Sequence, residues 1–123
     1  MTLQWRRQIL PLVLSVLFVI AGGTKVAGLD FQIESFGRWR FPAWWFMYAV
    51  GVAELLGAGL LVFARSRAYG ASLLLVLMLS AISTHLRVGE FLVIPAPLIL
   101  TVLLLLVLRM TLRQQGEDSL PGT

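Results

Sequence analysis

Four long, almost unbroken apolar runs dominate the 123-residue chain, at about 9–29, 43–63, 69–86 and 91–108. A helix needs about 20 mostly apolar residues to cross roughly 30 Å of hydrocarbon, so each run predicts a transmembrane helix. Polar residues gather in one real loop, Asp30 to Pro42, in two very short turns, and in the last ten or so positions. Spans joined this tightly predict an all-α four-helix transmembrane antiparallel bundle, forming a single domain over residues 1–113. Residues 114–123 are polar with Gly and Pro, so a disordered tail is expected there. Arg6 and Arg7, followed by an apolar run and by Ala21-Gly22-Gly23, also have the outline of a cleaved leader. The apolar run continues through Val26 to Leu29, however, so an uncleaved first span is the expectation.

Composition fixes the solvent. The chain is 59% hydrophobic and 13% charged, with a mean hydropathy of +0.88, against roughly 45–50% and about 25% in soluble domains. A chain this small has too much surface to hide the excess in one aqueous core. That excludes a soluble enzyme, a nucleic-acid binder and a disordered linker. Cysteine is absent, which removes disulfides, thiol relays and thiolate metal sites. The ten basic residues behind the net charge of +4 flank the spans, where they set orientation. Arg6, Arg7, Arg65, Arg67, Arg109 and Arg113 fall on one side. Arg38, Arg40, Arg87 and Lys25 fall on the other. The first side is expected to be cytoplasmic, with both termini inside. Trp39, Trp44 and Trp45 would then mark the outer interface and Trp5 the inner one. The loop mixes Phe31, Ile33, Phe36 and Phe41 with Asp30, Glu34, Arg38 and Arg40, a pattern expected to lie on the outer surface with a short helix.

A charge near the bilayer centre costs at least about 2.5–3.5 kcal/mol, so ionisable groups inside spans are candidate site residues. Glu54 lies about 12 residues beyond Pro42, roughly 18 Å along a helix, near the midplane. Lys25 sits about one turn from the outer end of the first span. His85 occupies the matching depth in the third, preceded by Thr84, Ser83 and Ser80. The stripe through Glu54 carries Gly51, Gly57 and Ala58, and that near Lys25 carries Gly22. Such small residues let helices approach closely in lipid. Two readings follow. Lys25, Glu54, His85 and Thr84 either satisfy one another and fix helix register, or line a polar pocket for a headgroup, a quinone ring or a proton. One histidine without clustered carboxylates is no metal site. Pro95 and Pro97 read as an ordinary helix start, or else free nearby carbonyls for a site. Gly57-Ala58-Gly59 is no phosphate loop, since no strand precedes it, and no catalytic motif appears.

The stretches Ala21-Gly22-Gly23-Thr24-Lys25 with Gly28, Phe36-Gly37 and Pro42, Gly51-Val52-Ala53-Glu54-Leu55-Leu56-Gly57-Ala58, and Met78 through His85 resemble the DoxX-like family of small four-helix membrane proteins. The resemblance implies a four-helix bundle in a bacterial inner membrane. Relatives include small subunits associated with quinone-linked sulfur oxidation and terminal oxidases, partners in redox-stress complexes, and assembly chaperones. It therefore implies an accessory membrane protein without catalytic activity of its own. Such a protein would bind a lipophilic small molecule of the quinone type and have the bilayer, a membrane redox partner or a second copy of itself as partners. The alternative is a membrane assembly or interaction protein in which the polar cluster is only structural. Thiol-based roles of relatives would need cysteine, which this chain lacks.

Overall fold

In the computed structural model, residues 3–41 and 45–118 are described, and they are helical almost throughout. Among them are five α-helices: α1 (Leu3–Val26), α2 (Asp30–Arg38), α3 (Phe46–Val62), α4 (Arg67–Val88) and α5 (Pro95–Asp118), with a single 3-10 turn at Phe91–Val93. Long apolar segments become helices because a helix satisfies every interior backbone N–H and C=O within itself. Three helical segments, Arg7–Val26, Arg67–Val88 and Phe91–Glu117, are long and apolar enough to cross a membrane, whereas Phe46–Val62 is a shorter apolar helix. The expected four helices thus become five, because α2 condenses out of the loop.

Two boundaries differ from expectation for physical reasons. The last long helix begins at Pro95 rather than Phe91. Proline suits the first helical position, where its missing donor has no intrahelical acceptor to serve. The Phe91 carbonyl accepts the Ile94 amide at 3.4 Å, which closes the 3-10 turn before α5. At the other end α5 runs to Asp118, past Gln114, where the disordered tail was expected to begin. Extending an existing helix adds one hydrogen bond per residue fixed and needs no new nucleus. Pro42, Trp44, the expected first residues of the second span, and residues 119–123 of the tail lie outside the described residues.

Helix α1 packs on α3, α3 on α4, α4 on α5, and α5 returns to α1. Glycine sets the first two contacts. A Cβ on Gly22 would stand 2.7 Å from the Gly51 carbonyl, and one on Gly51 would stand 2.9 Å from the Gly22 carbonyl. Seven residues further back on α1, the buried Ser15 hydroxyl donates to the Ala58 carbonyl at 2.8 Å. The pairings 22 with 51 and 15 with 58 mean that these two helices run in opposite directions. Between α3 and α4, a Cβ on Gly57 would meet Leu74 at 2.6 Å, and one on Gly70 would meet the Gly57 carbonyl at 2.7 Å. The core of Leu14, Phe18, Ala58, Leu61, Ala71, Leu74, Leu104 and Val107 is fully or almost fully buried.

Arg67, only 4% exposed, donates to the Leu61 carbonyl at 2.8 Å, to the Val62 carbonyl at 3.2 Å and to the Gln8 amide oxygen at 3.3 Å. It satisfies the last carbonyls of α3 and complements the negative end of that helix. Outward-facing Val16, Ile20, Val52, Leu56, Val76, Leu79, Ile99, Val102 and Leu105 are all exposed. Apolar surface on this scale is far beyond what a soluble monomer shows.

Candidate functional site

Two helix ends determine where the site's lid and rim sit. Helix α1 stops at Gly28, whose φ is +68°; its amide bonds the Lys25 carbonyl at 3.1 Å while the Leu29 amide bonds that of Thr24 at 3.2 Å. Helix α4 stops the same way at Gly89, φ +77°, with bonds from Gly89 to Leu86 at 3.3 Å and from Glu90 to His85 at 2.9 Å. Both are left-handed closures that favour glycine, since a side chain there is strained. The first throws α2 back across the helix ends, where the Gln32 amide donates to the Thr24 hydroxyl at 2.9 Å. The second folds Glu90 back beside the His85 ring.

Under α2 lies a cavity of about 540 Å³. Lys25 of α1 and Glu54 of α3 lie in its wall, with Leu77, Met78, Ser80, Ala81, Thr84 and His85 of α4 alongside. Aromatic residues of α2, the following loop and the start of α3 supply much of the rest. The four residues expected to form a polar cluster therefore border one space.

Their partners differ from one another. Lys25 Nζ stands 2.8 Å from Glu54 Oε1, with the side chains 13% and 3% exposed. The two groups form a close ion pair whose carboxylate oxygen Oε1 is buried. Lys25 also lies 3.5 Å from the Ala21 carbonyl. The small-residue stripes make this pair possible, because the Gly22–Gly51 approach brings the Lys25 stem against α3. One turn further along α3, Ala58 belongs to the dry core. Glu54 is thus the floor of the cavity.

His85 engages the rim instead of the Lys25–Glu54 pair. Its Nδ1 is 3.3 Å from Glu90 Oε1. The Trp39 indole N–H donates to the same oxygen at 2.6 Å, and Arg38 donates to Oε2 at 3.3 Å. The Trp39 and His85 rings meet edge to face at 5.3 Å. Arg87 donates to the Trp39 carbonyl at 2.9 Å and lies 5.4 Å over the Phe41 ring. The Trp39 hydrogen bond, helped by His85 and Arg38, holds the Glu90 carboxyl below the usual carboxylate range, against a smaller opposing effect of burial. Thr84 is buried, and its hydroxyl donates to the Ser80 carbonyl one turn back.

Trp39 and Arg38 read in the sequence only as interface and orientation markers and Glu90 is not singled out there, yet the three meet at the rim of the cavity. Gly89 was the available signal, since a glycine closing a helix predicts that the next residue folds back. Among the described residues no group of three or more His, Asp or Glu could hold a metal ion.

The sequence profile of the DoxX-like family matches residues 9–107. A curated relative, the protein of Bacillus subtilis (strain 168) called "Uncharacterized protein YdgD", is 36% identical over 74 residues. The match takes in 56% of this chain and 64% of the relative, so the chain spans less than two thirds of that relative's length. No solved structure matches the chain.

Proposed function

The chain belongs to the DoxX-like family of membrane proteins, and from that premise we propose that it is a four-helix bundle whose cavity binds a lipophilic small molecule with a polar head. Helix α3 is the fourth span, shorter than the others because the membrane surface at its outer end is occupied by α2 and the aromatic loop. Arg7, Arg65, Arg67, Arg109 and Arg113 lie toward one end of the bundle and Arg38, Arg40 and Arg87 toward the other. This distribution supports an inner-membrane topology with both termini cytoplasmic and the cavity in the outer half.

The observation that carries the reading is the chemistry of the cavity. It has the volume of a small-molecule site, mostly apolar walls, and at its floor an ion pair whose carboxylate is 2% exposed as a residue. A pair that served only to fix helix register would be favoured by close packing around it, and this one borders open space. A quinone-type molecule, the class suggested by the family resemblance, has the required form. The protein then acts as an accessory that holds or presents such a molecule and has no catalytic machinery of its own.

The test fills the space. In nanodiscs, Ala81→Phe should lower the affinity for a labelled lipophilic quinone by at least about tenfold, about 1.4 kcal/mol, with unchanged helicity. Unchanged affinity in the folded variant removes the cavity from consideration. A stoichiometric membrane protein partner with no lipophile bound would favour an assembly role instead.

A further inference from the structure

The cavity, on the premise that it is a lipophile site, has a side as well as a top. Its shape follows from how α3 sits between its two neighbours. Low in the bundle α3 touches α4: a Cβ on Gly57 would meet Leu74 at 2.6 Å, and one on Gly70 would meet the Leu61 amide at 2.9 Å. The pairings 57 with 74 and 61 with 70 make these helices antiparallel. Val50 is seven residues back along α3 and Ser80 six residues on along α4, so both stand roughly 10 Å nearer the α2 end. At that level α3 still presses on α1 through the Gly22–Gly51 approach, but between Val50 and Ser80 lies the cavity. Helices α3 and α4 thus part from one another toward α2.

Exposure shows where this gap opens. Among the lining residues only Phe31 and Ser80 are exposed. Phe31 belongs to the lid helix α2. Ser80 instead lies eight residues, about 12 Å, inside α4 from its end at Val88, at a depth where the surroundings are lipid chains. Two turns on, on the same flank of α4, Arg87 lies 5.4 Å over the Phe41 ring. Phe41 stacks on Phe46 at the start of α3, with centroids 4.5 Å apart. These side chains join α4 to α3 above Ser80, as Gly57 and Leu74 join them below. What remains between is a window framed by Val50 and Ser80. Serine suits its edge because the side chain is small and its hydroxyl donates to the Val76 carbonyl at 2.9 Å, so its proton is satisfied while it faces lipid. The cavity, about 540 Å³, falls in the lower half of the range for small-molecule sites, about 300–1,000 Å³. It has room for a ring and not for a long chain besides. A chain left among the lipids loses nothing, since they are as apolar as a protein wall. We infer that the window between Val50 and Ser80 opens the cavity sideways into the bilayer. Its ligand is then an amphiphile with a ring-sized head held inside and a long alkyl or isoprenoid tail that leaves through the window.

The experiment uses three benzoquinones with one head and different tails: none, decyl and decaprenyl. Each competes for the full chain in nanodiscs with the labelled tail-less quinone, and concentrations are expressed as mole fraction in the bilayer so that partitioning cancels. The three should bind the native chain within about threefold of one another, because a tail in lipid adds neither gain nor loss. Ser80→Phe places a ring in the window from α4. It should weaken both tailed probes by at least about tenfold relative to the tail-less one, the scale of an overpacked contact. Val50→Phe, which enters from α3, should do the same and carries the test if Ser80→Phe does not fold. Ser72→Phe, an exposed serine two turns deeper on α4 that does not border the cavity, should leave all three unchanged. Exclusion of the decaprenyl probe from the native chain, with the tail-less probe bound, would overturn the inference and leave an enclosed lipophile site standing. A ratio of tailed to tail-less binding that stays unchanged in the plugged variants would also overturn it. Binding of no probe above empty nanodiscs would remove the lipophile site as well.

Discussion

Gly22 and Gly23 are neighbours on one helix, yet alanine should act on them in opposite directions. A Cβ at Gly22 would lie 2.7 Å from the Gly51 carbonyl, 2.9 Å from Leu55 Cγ and 3.1 Å from the Leu55 amide, whereas one at Gly23 meets nothing within 4 Å. Two of the three obstacles at Gly22 are backbone atoms, so no rotamer change relieves them. Ordinary contact begins at 3.4 Å, so the helices must part by about 0.7 Å at this point. A gap of that size forfeits a quarter to a half of each dispersion contact along the seam. In lipid, packing and interhelical hydrogen bonds are the forces that hold helices together. Overpacking costs about 1–3 kcal/mol, and the upper part of that range applies here because the Ser15–Ala58 bond shares the seam. Against this, alanine is favoured over glycine in a helix by roughly 0.5–1 kcal/mol. Gly22→Ala should therefore destabilise by about 1–2 kcal/mol and Gly23→Ala should stabilise by about 0.5–1 kcal/mol. Unfolding midpoints in mixed detergent micelles with increasing SDS measure both. Shifts of the same sign and size in the two variants would refute the close-approach argument.

Two further outcomes follow from the ionisable groups. Lys25→Met or Glu54→Met alone leaves a buried charge without its counter-ion and should cost about 3–5 kcal/mol, while the double variant should return close to native stability; simple additivity in the same SDS titration would contradict the pairing. The second concerns Glu90, whose carboxyl is held below its ordinary value of 4.5 first by the Trp39 indole. A depressed carboxyl contributes stability that is fully present above the unfolded value and is lost as pH falls through the lower folded value. Hydrogen exchange across residues 30–41 should accordingly stay slow at neutral pH and rise only below about pH 4.5. In Glu90→Gln the exchange should already be faster at pH 7 and lose most of its acid dependence. An acid loosening that persists unchanged in that variant would assign it to another group.

The floor of the site was legible in the sequence because an apolar background makes each charge conspicuous. Lys25 and Glu54 lie inside apolar helices, and the glycines one turn away on each helix show which faces meet. The rise per residue set their expected positions along the helices. The lid was only half legible. Alternating rings and charges between Asp30 and Phe41 predicted a surface helix, and α2 forms there. What α2 touches depends on contacts across about fifty positions, such as Trp39 with Glu90, and no local pattern encodes those. Arg67 shows the same limit. Its place beside a span end reads as an orientation signal, and only the packing of α1, α3 and α4 reveals that it closes the carbonyl end of α3.

The cavity and its closure have separate physical origins. The space exists because glycine draws α1 onto α3 near Lys25 and Glu54 while the lid side carries bulky rings that do not fill it. The closure exists because Gly28 and Gly89 each take a left-handed conformation. One aims α2 across the opening, and the other returns Glu90 to the rim where Trp39, His85 and Arg38 converge on it. The Glu90 carboxylate, 27% exposed, is one of several ties between lid and bundle, beside the Gln32–Thr24 and Arg87–Trp39 hydrogen bonds, whereas the floor pair is almost fully buried. Salt screens exposed charges strongly and buried ones weakly. Access to the cavity should therefore respond to ionic strength and acidity through the rim, while the polar floor stays unchanged under the same conditions.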